Sequence, residues 1–278
     1  MTHTSFSANL SAPTRAAIVI VLISAVAAVG YVAVNRFKQP DLERRLDLAH
    51  TLLEQARTTG TVPYNAETAT WTVPSVDRVE EQKLIFMGHV LPLIAQENHR
   101  IKLQRNIIET SQGPAQIRTL ATAYGLPDDD FSRKRLLRRV DVLPVSLVLA
   151  QAAIESGWGT SRFAQQGHAY FGERTYDESV PGISPKRASG FKVKSFDNAA
   201  LSVRSYMRTL NSHRAYQTLR EHRAALRAQG KAPSGLDLAA YLKQYSEIGG
   251  NYVERIRATI RTNDLQVFDN IRVITDEE

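Results

Sequence analysis

Hydrophobic positions recur at helical spacing along most of this chain. From Val79 to about Ile108, the stripe Leu84, Ile85, Met87, Val90, Leu91, Ile94, Ile101, Leu103 and Ile107 predicts a long helix, which Pro92 is expected to kink or break. Leu42, Leu46, Ala49 and Leu53 predict an amphipathic helix over Asp41 to Arg57, a stalk or a packing helix, and a shorter helix is expected from Ala115 to Tyr124. Thr58 to Pro74 holds Gly60, Pro63 and Pro74 without a sustained period and reads as loop or linker. From Pro144 the pattern changes: Val145, Leu147, Val148, Leu149, Ala152, Ala153 and Ile154 leave almost no polar side, so the helix they form is a buried one. Proline suits its first position and Gly157 its stop. Leu236, Leu238, Ala239 and Leu242 form another helical pattern that ends at Tyr245, which then enters the loop Ser246 to Gly250. Tyr252, Ile256 and Ile260 share a face of a last helix, placing Tyr252 in its core. Phe191, Val193 and Phe196 alternate with Lys192 and Lys194, the mark of a strand in a small hairpin. The fold class is therefore mainly α with a small β hairpin.

The most apolar run is N-terminal. Ala16 to Val34 is 19 residues without a charge, bounded by Arg15 and by Arg36 and Lys38. At 1.5 Å per residue a helix of that length spans about 28 Å, close to a bilayer's hydrocarbon thickness. It is expected to be a transmembrane anchor, with a cleaved signal peptide as the alternative because Ala25-Val26-Ala27 offers a small-x-small site. The basic residues Arg36, Lys38, Arg44 and Arg45 after the run favour a cytoplasmic main domain, although Asp41, Glu43 and Asp47 are interleaved with them.

Composition narrows the chemistry. A chain of 278 residues with 43% hydrophobic content supports one ordinary domain with a core plus additional segments. It has no cysteine, which excludes disulfides, thiolate metal sites and thiol nucleophiles. The histidines show no paired short spacing of a zinc site, and there is neither a Gly-x-Ser-x-Gly elbow nor a phosphate loop, so no metal or cofactor is expected. The net charge of +7 favours anionic partners. The basic run Arg133 to Arg139 has no nucleic-acid module around it; it reads as a solvated helix face anchored by Leu136 and Leu137, with a contact to anionic glycan strands or lipid as the alternative, and no nucleic-acid partner is expected.

One carboxylate stands out. Gln151 and Glu155 lie four residues apart on one face of the buried helix, with Glu155 at its C-terminal end. Burial and the negative end of the helix dipole both disfavour the ionised form, so the carboxyl should hold its proton to higher pH and be able to donate it to a leaving oxygen. The alternative for such a residue is a Glu that pairs with a nearby Arg or turns to solvent.

The segment Ala150-Gln151-Ala152-Ala153-Ile154-Glu155-Ser156-Gly157-Trp158-Gly159-Thr160-Ser161, with Arg162-Phe163-Ala164, Tyr170-Phe171-Gly172, Tyr245-Ser246 and Tyr252-Val253-Glu254-Arg255-Ile256, resembles the bacterial cell-wall glucosaminidases of glycoside hydrolase family 73, in particular their Bax-like branch. The resemblance spans about 133–263 strongly and the preceding region from about 79 weakly. It implies a lysozyme-like helical domain, and an activity that cuts the glycan strand of peptidoglycan after N-acetylglucosamine, as an endo-β-N-acetylglucosaminidase. The domain plan is then a tail and membrane anchor over 1–35, a stalk helix and linker over 36–78, the glucosaminidase domain over 79–263 with its core at 133–263, and a tail over 264–278. The substrate places the domain on the extracytoplasmic side of a single-pass inner-membrane anchor at 16–34, or in secreted form after cleavage. A monomer is expected.

By the same resemblance Glu155 is the general acid. Tyr245 corresponds to a functional family tyrosine and is expected to bind substrate, as are Gln151, Trp158, Tyr170 and Phe171. Trp158 could also serve as a core plug, and Tyr170 and Phe171 as packing with an edge toward the cleft. Two departures stand out. His168-Ala169 occupies the usual place of asparagines, and Pro185 to Gly190, where many members carry a second Glu, holds no carboxylate. Since glycoside hydrolysis ordinarily uses two carboxylates, either Glu178 or Asp177 serves as the second, or the substrate's acetamido oxygen attacks, or neutral groups position a water. Two other functions fit the pattern. A lytic transglycosylase is one, although the Gly-Leu-Met-Gln segment of those enzymes is missing here. A catalytically weak, membrane-anchored wall-binding or scaffold protein is the other.

Overall fold

The computed structural model describes residues 41–63, 72–111, 113–126, 131–186, 190–245 and 250–274. Contacts divide the chain between Asp47 and Leu48. Of the first unit only 41–47 are described; they are helical, with Arg45 paired to Asp41 across one turn. The predicted anchor at 16–34 lies outside the described residues, and no helix among those described is long and apolar enough to cross a membrane.

The second unit is mainly helical with small β elements. Helix α1 covers 41–59, and its part in this unit buries Ala49, Leu53 and Ala56. It meets the long helix α2 (Val79–Thr110) so closely that a Cβ on Gly88 would lie 2.6 Å from the Cβ of Ala49. Strand β1 (Thr61–Pro63) pairs in parallel with the last strand, β5 (Arg272–Ile274), with Val62 opposite Val273. The stretches read from the sequence as a stalk with linker and as a C-terminal tail thus enter the compact unit: Leu53, Val62, Val73, Leu265 and Phe268 are all at most 1% exposed. The physical reason is burial of these apolar side chains against α2, α5 and α10.

Helix α2 runs unbroken through Pro92. Helix α3 (Pro114–Ala123) and helix α4 (Arg133–Arg139) follow, then α5 (Val145–Ser156), whose residues Val145 to Ala153 are all buried. Pro144 caps α5 rather than opening it and provides no side-chain cap. That role falls to Asp269, which accepts from Ser146 N at 2.8 Å and from Ser146 Oγ at 3.0 Å across 123 positions of sequence.

Helix α6 (Arg162–Gly167) leads into three strands, β2 (Arg174–Thr175), β3 (Gly182–Ile183) and β4 (Lys192–Lys194), in the antiparallel order β2-β4-β3. The predicted hairpin is therefore a three-stranded sheet. Helices α7 (Ala199–Ser212), α8 (Gln217–Ala228), α9 (Gly235–Ala239) and α10 (Gly250–Thr262) complete the unit. Helix α5 packs against α2, α9, α10 and the turn Leu265–Phe268, as expected for a helix apolar on every side.

The basic run on α4 does more than face solvent. Arg133 donates to Ile108 O and Ser111 O at the end of α2, and Arg139 to Tyr124 O and Gly125 O after α3. Helices α2 and α3 have no basic residue in their own last turns, so α4 supplies the cations for their negative ends.

Candidate active site

Glu155 sits in the last turn of α5, where the chain leaves the buried core. The helix stops because Gly157 takes a left-handed conformation with φ 59°, and Trp158 and Gly159 follow it with φ 56° and 83°. Ser156 ties this turn together, donating from Oγ to Ala152 O at 2.6 Å and accepting from Gly159 N at 2.8 Å. A Cβ at Gly159 would meet Val73 Cβ at 2.9 Å, which leaves glycine as the residue that fits there. The left-handed Trp158 is a strained conformation for a bulky side chain, held by Gln82 Nε2 donating to its carbonyl at 2.9 Å.

The carboxylate itself is half-buried. Tyr252 Oη donates to Glu155 Oε1 at 2.7 Å, and Gln151 Nε2 donates to Tyr252 Oη at 3.0 Å. Tyr206 Oη in turn donates to Gln151 Oε1. Each member has its role fixed by the next. With its amide oxygen occupied by Tyr206, Gln151 offers its NH2 to Tyr252, and the Tyr252 proton is left to point at Glu155. Oε1 thus accepts, and a proton on this carboxyl belongs on Oε2. That oxygen faces Gly172, where a Cβ would come within 3.5 Å of it.

Burial raises the affinity of Glu155 for its proton, and this outweighs the Tyr252 hydrogen bond and the charges of Arg255 and Arg174, which act in the opposite direction. The tyrosines around it are pushed up as well. Burial and the nearby carboxylates raise Tyr216 to about 12, and Tyr206, Tyr245 and Tyr252 also hold their protons well beyond the ordinary phenol range. At physiological pH they are neutral, and Tyr206, Tyr245 and Tyr252 serve as donors.

The other residues expected at the site divide into two groups. Gln151, Tyr170 and Phe171 are at most 1% exposed, so they act from behind the surface rather than on a ligand. Phe171 stacks on Tyr206 with centroids 4.0 Å apart, and Tyr170 packs near Phe86 and His89. Trp158 and Tyr245 keep part of their surface. Trp158 packs edge-on against Phe86 at 5.5 Å, with Lys83 Nζ 5.8 Å from its ring centre. Tyr245 closes the turn Lys243–Tyr245, donates to Phe171 O at 2.6 Å and lies parallel to Tyr252 at 5.7 Å. The loop expected beyond Tyr245 falls outside the described residues.

Asp177 and Glu178, the expected second carboxylates, are both exposed. Asp177 Oδ1 accepts from Ser179 N and Oγ, and Glu178 pairs with Lys192 at 2.9 Å. Glu173 is the buried carboxylate of this region, with 8% of its side chain exposed, and it is held by Thr209 Oγ1 at 2.8 Å with Lys194 Nζ at 3.7 Å. It ties β4 to α7. Tyr252 is the residue that periodicity misplaced in function: it is 2% exposed, as a core position should be, yet its hydroxyl is the direct partner of Glu155. A tyrosine where the pattern asks for an aliphatic residue was the available signal.

Among the described residues no group of three or more His, Asp or Glu could hold a metal ion. A cavity of about 690 Å³ lies between α4 and α8, and Glu155 is not part of its lining.

The family model described as mannosyl-glycoprotein endo-beta-N-acetylglucosaminidase matches residues 132–265, which hold Glu155, Tyr245 and Tyr252. Protein bax of Escherichia coli (strain K12) is 31% identical over 194 residues, covering 66% of this chain and 70% of that protein. The chain belongs to the glucosaminidase family. Its matched region runs from the start of α4 to the turn after α10, so the family's domain includes the whole hydrogen-bonded chain from Tyr206 to Glu155. No solved structure matches the chain.

Proposed function

We propose that this glucosaminidase-family chain hydrolyses the β-1,4 bond after N-acetylglucosamine in peptidoglycan, as an endo-β-N-acetylglucosaminidase with Glu155 as general acid. The observation that carries the reading is the state of Glu155, a half-buried carboxyl with raised proton affinity, one oxygen held by Tyr252 and the other facing the backbone at Gly172. A group poised this way gives its proton to the leaving glycosidic oxygen and stabilises the departing alcohol.

The nucleophile in this reading is the substrate's own acetamido oxygen. Asp177 and Glu178 are turned to solvent and engaged by Ser179 and Lys192, and Glu173, whose Oε1 accepts from Thr209, has only 8% of its side chain exposed. The acetamido oxygen attacks the anomeric carbon as its bond to the leaving oxygen breaks and the Glu155 proton moves to that oxygen. Water then opens the cyclic intermediate, returning a proton to Glu155. The lysozyme-like arrangement of the domain and its attachment to the extracytoplasmic face of the membrane through 16–34 belong to the same reading.

Digestion of purified glycan strands tests it. Fragments with reducing-end N-acetylglucosamine are expected, and Glu155→Gln should abolish their release. Anhydromuramic ends would make the protein a lytic transglycosylase. Binding of strands without any release at any pH would make it a wall-binding protein.

A further inference from the structure

Beyond Glu155, the small sheet carries a group of side chains that the hydrolytic step does not use. In the β2–β4 ladder Arg174 stands opposite Val193 and Thr175 opposite Lys192, so the next pair outward is Tyr176 and Phe191. Their rings lie 6.2 Å apart at 59°, and the Arg174 guanidinium stands 4.5 Å from the Phe191 ring centre. Alternation along the strand puts Arg174 and Tyr176 on one face and the buried Thr175 on the other. Tyr176 is 74% exposed, the most exposed large hydrophobic side chain among the described residues. An aromatic ring left in water beside a second, tilted ring and a cation forms an apolar shelf with a polar margin.

The shelf is linked to the site through the chain and through charge. Gly172 is the backbone against Glu155 Oε2, Arg174 acts on Glu155 through its charge, and Tyr176 lies four positions beyond Gly172. Gly172 turns the chain at φ 63° just before β2, and Arg174 is shared between the two places, its charge acting on Glu155 and its guanidinium standing against the Phe191 ring.

We propose that Tyr176 and Phe191, steadied by Arg174, form a sugar-stacking subsite that takes the C–H face of a pyranose ring of the glycan strand, remote from the bond being cut. The inference rests on the function proposed above and adds a preference for longer strands.

The experiment uses the full chain carrying Glu155→Gln, which binds without cutting, and β-1,4-linked N-acetylglucosamine oligomers of graded length, with calorimetry as the readout. Tyr176→Ala should weaken binding of the longest oligomers by about three- to tenfold, the effect of losing one aromatic contact, and the loss should shrink as the oligomer becomes too short to reach the shelf. Tyr176→Phe, which keeps the ring, should restore the affinity, and Phe191→Ala should weaken the same long oligomers. Equal affinity of Tyr176→Ala and its parent for the longest oligomer would overturn the subsite, as would an equal loss at every length. Those results would leave the hydrolase reading standing if the wild-type chain cuts glycan strands. A wild-type chain that neither cuts nor binds any strand would overturn both.

Discussion

The hydroxyl of Tyr252 lies 2.7 Å from Oε1 of Glu155 and is itself held by Gln151. The hydrogen bond favours the ionised carboxylate and so restrains the rise that burial imposes. Tyr252→Phe removes the donor and leaves the ring. Glu155 then holds its proton to higher pH, and the alkaline limb of the pH-activity profile should move upward. The carboxyl also loses the contact that fixes its orientation, so kcat should fall by about tenfold, part of what general acid catalysis contributes. A profile identical to wild type would show that Tyr252 only packs.

Glu155→Gln has a second expected consequence, in stability. The folded-state pKa of Glu155 is raised above the ordinary carboxyl value of 4.5, so its contribution to stability is full below that value and is lost as pH rises through the folded pKa. The uncharged amide has no such loss. The variant should therefore melt at a higher temperature than wild type near neutral pH, with the difference vanishing below about pH 4. Thermal unfolding across a pH series checks both halves, and a variant less stable at neutral pH would refute the assigned direction.

Asp269→Ala removes the acceptor that caps α5 from the far end of the chain. A lost cap costs about 0.5–2 kcal/mol, and here Gly235 N, 3.4 Å from Asp269 Oδ2, loses a partner as well. Denaturant unfolding should show a loss toward the upper end of that range, with no change in the pH dependence of activity.

Asp141 holds a buried cluster, with Arg227 Nε at 2.6 Å, Arg223 Nε at 3.4 Å and Arg105 at 3.9 Å from its carboxylate. Arg223 is 0% exposed, and burial lowers its affinity for its proton to about 10, with Asp141 opposing the fall. Asp141→Ala leaves that guanidinium buried without its counter-charge, for which about 3–5 kcal/mol is the usual penalty. Equilibrium unfolding in urea measures it. A loss below about 1 kcal/mol would mean that the carbonyls of Arg138, Asp141 and Val142, which also accept from Arg223, suffice alone.

Local pattern carried much of this molecule. The uninterrupted apolar character of Val145 to Ile154 marked the buried helix, and a lone carboxyl at its end marked Glu155, because helical periodicity and burial are written in nearest-neighbour spacing. Alternation found β4 but not the ladder around it, since β2 and β3 are two residues long and carry no period of their own. Pro92 signalled a break that packing overrode: Val90, Leu91, Leu93 and Ile94 around it are at most 1% exposed, and their burial supports a continuous helix through the proline.

The sequence by itself determined the helical class, the family signature and the place of Glu155 at the end of a buried helix, all properties of residues close together in the chain. Tertiary structure alone decided which groups surround Glu155. Tyr252 reaches Glu155 across 97 positions, Asp269 reaches Ser146 across 123, and β1 reaches β5 across the length of the unit. Spacing along the chain cannot encode such pairings. They form because burying the apolar faces of α2, α5 and α10 together brings these polar groups out of water, where each must find the partner that the packing delivers.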